Sequence, residues 1–179
     1  GMGLGGDGEK GVVVFVGPWE HHSNLIPWRE AGFEIVSVPE DDNTGDVDVT
    51  ALERKLRDPQ YENCVKMGSF SAVSNVTGRI ADVSSIARCL HAHNALAFFD
   101  YATAASYCPI DMRGKDAVFL SPHKMMGGVN TPGVLICKKA LLSQVRPPSK
   151  SGGGTVFYVT EDRHRFLSDR VERYEGGTP

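Results

Sequence analysis

Short apolar runs alternate along this chain with segments whose apolar residues recur at helical spacing. GVVVFV (11–16), FEIVSV (33–38), CVKMGSF (64–70), ALAFFD (95–100), DAVFL (116–120) and GVLICKK (133–139) read as strands. Between them lie helical segments near 24–31, 49–57 and 81–94, the last with Val83, Ile86, Ala87 and Leu90 on one face and Asn94 at its end. Thr50 and Glu53 form a capping-box pattern for the second of these, and Pro59 breaks it. Alternation of this kind dictates an α/β layer fold built on a mostly parallel sheet. After residue 147 the chain is loop-rich and only weakly periodic.

A length of 179 residues is most simply one domain, and a formal net charge of −3 without a basic cluster argues against a nucleic-acid partner. The longest apolar runs are too short to span a bilayer. Residues 1–10 lack the apolar core of a signal peptide and read as a flexible leader or tag remnant. Cys64, Cys89, Cys108 and Cys137 have no metal-type spacing. They are expected to be free thiols of an intracellular protein, in the cytoplasm or an organelle matrix. No G-x-G-x-x-G or P-loop follows the first strand, which disfavours a nucleotide-binding domain.

Four polar clusters each follow a strand: EHHSN (20–24), SAVSNVTG (71–78), DYATAAS (100–106) and SPHK (121–124). All four therefore fall at carboxyl ends of strands, the edge where open α/β sheets bind ligands. Each residue has a plain and a chemical reading. Lys124 is a solvated turn lysine or a partly desolvated amine that attacks a carbonyl. Asp100 caps the next segment or pairs with a cation such as a protonated pyridine nitrogen. His21 and His22 are ordinary imidazoles, or one of them stacks on a flat ring. Asn75 opens a glycosylation sequon or donates to a phenolate or carboxylate. Ser121 and His123 offer donors to a phosphate. Gly127–Gly133 turns between two strands, and its glycines would also let backbone pass close to a ligand.

Taken together, EHHSNLIPW, SNVTG, FFDYATAAS, SPHKMMGGVNTPGVLI, GGGTV and RYEGGTP resemble, in order, the class V pyridoxal-phosphate-dependent enzymes. That group comprises cysteine desulfurases, selenocysteine lyases and related aminotransferases. The resemblance covers about residues 12–179. It implies the large domain of the aspartate aminotransferase fold, with helices on both faces of the sheet, and pyridoxal 5′-phosphate as cofactor. By motif, Lys124 would form the Schiff base and, once freed by transaldimination, serve as base for the substrate α-proton. Asp100 would pair with the ring nitrogen, His21 would stack on the ring and Ala102 would pack on its other face. Ser121 and His123 would hold the phosphate, Asn75 would lie near the ring hydroxyl, and Thr178 would reach the phosphate of a neighbouring subunit. Thr103 stands where family members commonly carry glutamine beside the ring oxygen, which leaves the reaction type open.

The resemblance further implies a small amino-acid substrate and a homodimer with shared active sites. Residues 11–179 would be an incomplete large domain, lacking the N-terminal phosphate-cradling turn and the C-terminal small domain. The substrate-binding arginine and any persulfide cysteine would lie in the latter, so Cys108 is read as packing. The competing expectation is a catalytically incompetent scaffold or binding protein that keeps the fold.

Overall fold

The computed structural model describes residues 10–142 and 151–175; the leader residues 1–9 and Thr178 lie outside the described residues. The chain divides into two compact units, residues 1–136 and 137–179, where length alone suggests one domain.

The first unit carries a six-stranded sheet. Its strands are β1 (Val12–Val16), β2 (Glu34–Ser37), β3 (Val65–Ser71), β4 (Leu96–Asp100), β5 (Ala117–Leu120) and β6 (Val134–Cys137), in the order β2-β1-β3-β4-β5-β6. β1 runs parallel to β2 and β3, β3 to β4, and β4 to β5. The mostly parallel sheet expected from the alternation is therefore present. Register puts Ser71 beside Asp100 and Asp100 beside Phe119, so these strand ends line up at one edge.

Helices cover both faces. α2 (Val49–Leu56) and α3 (Val83–Ala92) bury Leu52, Leu56, Ile86 and Leu90 against Val13, Phe15, Ala97 and Phe99. On the other face Trp28 of α1 (Ile26–Glu30) packs with Leu25, Phe33 and Phe98 over Val14, Val16 and Met67. α3 lies so close to β3 that a Cβ at Gly68 would meet Leu90 Cδ1 at 2.5 Å, closer than carbon atoms pack. Asn94, at φ 55°, ends the α3 segment in the left-handed region.

Capping of α2 differs from the expected pattern. The N-cap is Asp48, whose carboxylate accepts from Ala51 N–H at 2.8 Å, while Glu53 pairs with Arg57 at 2.6 Å instead of reaching back to Thr50. Both Asp48 and Thr50 are good cap types, and the first of them starts the helix. α3 begins the same way, with Asp82 accepting from Ser85 N–H at 2.9 Å and Ser85 Oγ–H at 2.5 Å. These bonds hold the Asp82 carboxyl below its ordinary value of 3.8. A carboxyl depressed on folding stabilises above its unfolded pKa and loses that contribution as pH falls through the folded one. Asp82→Ala should therefore cost about 1 kcal/mol near neutrality, and the gap to wild type should close in acid. Urea unfolding at neutral pH and again in acid reads both.

The second unit holds the antiparallel pair β7 (Val156–Val159) and β8 (His164–Phe166), followed by α4 (Arg170–Tyr174). Asp169 caps α4 through Val171 N–H at 2.7 Å and Glu172 N–H at 3.1 Å. Among the described residues no helix is long and apolar enough to cross a membrane.

Candidate active site

Four loops leave the sheet at the carboxyl ends of β1, β3, β4 and β5, and together they enclose a cavity of about 320 Å³. That volume lies within the range of small-ligand sites. His21 and Ser23 follow β1, Ser71 ends β3, and Val73 and Asn75 come just after it. Asp100, Ala102 and Thr103 mark the end of β4, while Ser121, His123 and Lys124 follow β5. Of the residues singled out in the sequence, the structure brings His21, Asn75, Asp100, Ala102, Thr103, Ser121, His123 and Lys124 to one cavity.

His21 is held by its own loop. The Ser23 backbone N–H donates to His21 Nδ1 at 3.2 Å, and Ser23 Oγ lies 2.6 Å from the same atom. A backbone N–H only donates, so Nδ1 is the acceptor and a neutral ring carries its proton on Nε2. The His22 ring sits 4.0 Å from that of His21, centroid to centroid, at 34°. Only His21 of the two lines the 320 Å³ cavity.

The Asp100 carboxylate accepts the Ala102 N–H at 2.7 Å, which folds the chain sharply at the strand end and places Ala102 and Thr103 on the cavity wall. The capping role and a position in the site thus coexist. After β3, Ser74 Oγ accepts from Val76 N–H and Thr77 N–H at 3.4 and 3.2 Å, leaving Asn75 exposed at the tip of the turn.

Lys124 ends a single 3₁₀ turn, Pro122–Lys124, closed by Lys124 N–H to Ser121 C=O at 3.0 Å. Lys124 is exposed, as the solvated-turn reading has it, and the described residues do not supply the partial desolvation of the chemical reading. The glycines after it serve the turn itself. Gly127 has φ 76°, and a Cβ at Gly128 would fall 1.8 Å from Pro122 O. The close backbone approach is therefore to the chain's own 3₁₀ turn.

Ser23, Ser71 and Val73 also line the cavity, although nothing in the sequence singles them out beyond their place in the polar clusters. Ser71 carries a readable signal, since a buried serine that ends an apolar strand needs a polar neighbour. Cys108 packs against the core as expected, and all four cysteines are free. Among the described residues no His, Cys, Asp or Glu cluster is arranged to hold a metal ion.

The sequence model of a family described as Aminotransferase class-V matches residues 2–179. Probable cysteine desulfurase 2 of Mycobacterium leprae is 35% identical, across 98% of this chain and 41% of its own length. A probable cysteine desulfurase of Pyrococcus abyssi is 30% identical, across 96% of this chain and 42% of its own. Among solved structures, the cysteine desulfurase CsdA from Escherichia coli superposes with a TM-score of 0.76 at 27% identity, covering 96% of this chain and 42% of that one. The apo cysteine desulfurase of Thermococcus onnurineus NA1 gives 0.76 at 28% identity, with the same coverage. The chain thus spans about two fifths of the length of these relatives.

Proposed function

This chain belongs to the aminotransferase class-V family, and we propose that its cavity binds pyridoxal 5′-phosphate in an enzyme acting on an amino acid. Lys124 is the covalent attachment point. The observation that carries this reading is chemical: an amine, a carboxylate and an imidazole from three strand ends share one cavity of about 320 Å³.

The donor set fits the cofactor group by group. Asp100 supplies a negative charge for a protonated ring nitrogen, and His21 and Ala102 offer an aromatic and a small face for a flat ring. Ser121 and His123 provide hydrogen-bond donors for the phosphate. Asn75 and Thr103, both on the cavity lining, would be the donors for the ring oxygen, a shorter hydroxyl standing at Thr103 in place of a longer amide. When bound, the cofactor supplies an aldehyde for the Lys124 amine and a ring that withdraws electrons from the substrate α-carbon. Once the substrate amine has displaced it, the freed Lys124 Nζ would be the base that moves the α-proton.

The names of the similar proteins make cysteine the first substrate to try; the family description adds transamination, and lysis is the remaining alternative. The proposal extends to a homodimer whose sites are shared, Thr178 serving the neighbour's phosphate. It also extends to an intracellular compartment, consistent with four free cysteines.

After incubation with pyridoxal phosphate and removal of the excess, the full-length protein should retain an imine absorbance band that borohydride fixes, release alanine from cysteine, and scatter light as a dimer. Binding without any amino-acid turnover would favour the scaffold reading; no band at all would remove the cofactor proposal.

A further inference from the structure

Glu20 does not line the 320 Å³ cavity, yet it is tied to two of its walls. It directly precedes His21. Its Oε1 accepts the Ser71 N–H at 2.8 Å, and its Oε2 accepts Ser71 Oγ–H at 2.8 Å and Asn24 Nδ2–H at 2.6 Å. The pocket-lining end of β3 and the loop that carries His21 are therefore joined through one carboxylate.

The orientation of Asn24 is dictated by its other partners. Trp28 Nε1–H, at 3.4 Å, and Ser69 Oγ–H, at 2.6 Å, both meet Asn24 Oδ1. An indole N–H only donates, so that atom must be the amide oxygen, and the amide NH₂ must face Glu20. Glu20 is in turn required to accept. Asn24, Ser69 and Ser71 are all buried, which makes a mismatch anywhere in the chain of bonds costly. Gly17 leaves the necessary room, since a Cβ there would lie 2.8 Å from Glu20 Oε1. Burial raises the Glu20 carboxyl above its ordinary 4.5, the bonds from Asn24 and Ser71 lower it, and the nearby Asp100 charge raises it again.

We propose that Glu20 is a positioning residue of this site, locking the His21 loop to the end of β3 beside Asp100. It does not line the cavity, and acts through His21 and Ser71. The consequence for cofactor affinity rests on the function proposed above; the lock itself does not.

A donor–acceptor swap tests it. In Glu20→Gln one carboxylate oxygen becomes an NH₂, which confronts the Asn24 NH₂ or, turned over, the Ser71 N–H, and Asn24 cannot flip without abandoning Trp28. Adding Asn24→Asp restores an acceptor opposite the new amide while keeping one for Trp28 and Ser69. The readout is the His21 ring ¹H–¹³C signal in the cofactor-free full-length protein. It should move in Glu20→Gln and return toward wild type in the double variant. Ser71→Ala, which removes one bond and introduces no clash, should move it in the same direction and serves if Glu20→Gln fails to fold. Titration with pyridoxal phosphate should show about a tenfold weaker affinity for Glu20→Gln, the scale of one unmet buried hydrogen bond, with recovery in the double variant. A His21 signal unmoved by Glu20→Gln or Ser71→Ala, or not restored by the swap in a folded protein, overturns the inference. If wild type itself binds no pyridoxal phosphate, the function proposal fails while the His21 signal still decides the role of Glu20.

Discussion

Lys124→Ala in the full-length protein is expected to reduce amino-acid turnover by about 10³-fold or more, the scale of losing a positioned base together with the covalent anchor. Stability should hardly change. The side chain is exposed, and the turn beneath it is closed by backbone bonds that alanine keeps, Lys124 N–H to Ser121 C=O at 3.0 Å and Met125 N–H to Pro122 C=O at 2.9 Å. Surface changes of that kind stay within about 0.5 kcal/mol. Steady-state kinetics beside urea unfolding separates the two effects. A variant that unfolds early would make Lys124 a structural residue, and one that retains wild-type turnover would remove it from the chemistry.

The second large effect is expected from Asp100→Asn. The Asp100 carboxylate accepts the Ala102 N–H at 2.7 Å, a bond that an asparagine oxygen reproduces, so the strand end and the Ala102–Thr103 wall should persist. What disappears is the negative charge. An amide cannot hold a pyridine nitrogen protonated, and removal of one preorganised electrostatic partner costs about 10²–10³-fold in rate. The variant should therefore keep its fold and lose α-proton chemistry, read by exchange of the substrate α-hydrogen with deuterium oxide. Exchange at the wild-type rate would show that Asp100 is only the cap of the β4 turn.

Much of this is legible in the residues because the signals are strong where burial is strong. Runs such as GVVVFV and ALAFFD are buried by helices on both faces, so continuous apolarity marks them, and the polar residues that follow must lie at the sheet edge. The common cavity follows from that geometry. The hairpin β7–β8 is not legible in the same way. Val156–Val159 is a β-branched and aromatic run that suits a strand, but it is short, it stands among glycines and polar residues, and no helix–strand alternation frames it. The cap of α2 is ambiguous in sequence because Asp48 and Thr50 lie close together and either type starts a helix; the bond to Ala51 N–H decides for Asp48. The glycines after Lys124 read as a turn that could also pass close to a ligand; the carbonyl that crowds Gly128 belongs to Pro122, which favours the turn. Glu20 escapes notice because its importance lies in partners far along the chain, Ser71 above all, and no local pattern encodes that pairing.

Whether Lys124 is the lysine that carries the cofactor in this cavity is decided by loading the full-length protein with pyridoxal phosphate, reducing it with borohydride, digesting it and mapping the modified peptide. A single pyridoxyl label is expected on Lys124, in the peptide containing Ser121 and His123. A label on Lys115 or Lys138 instead, or no label on a protein that has taken up the cofactor, would refute the assignment.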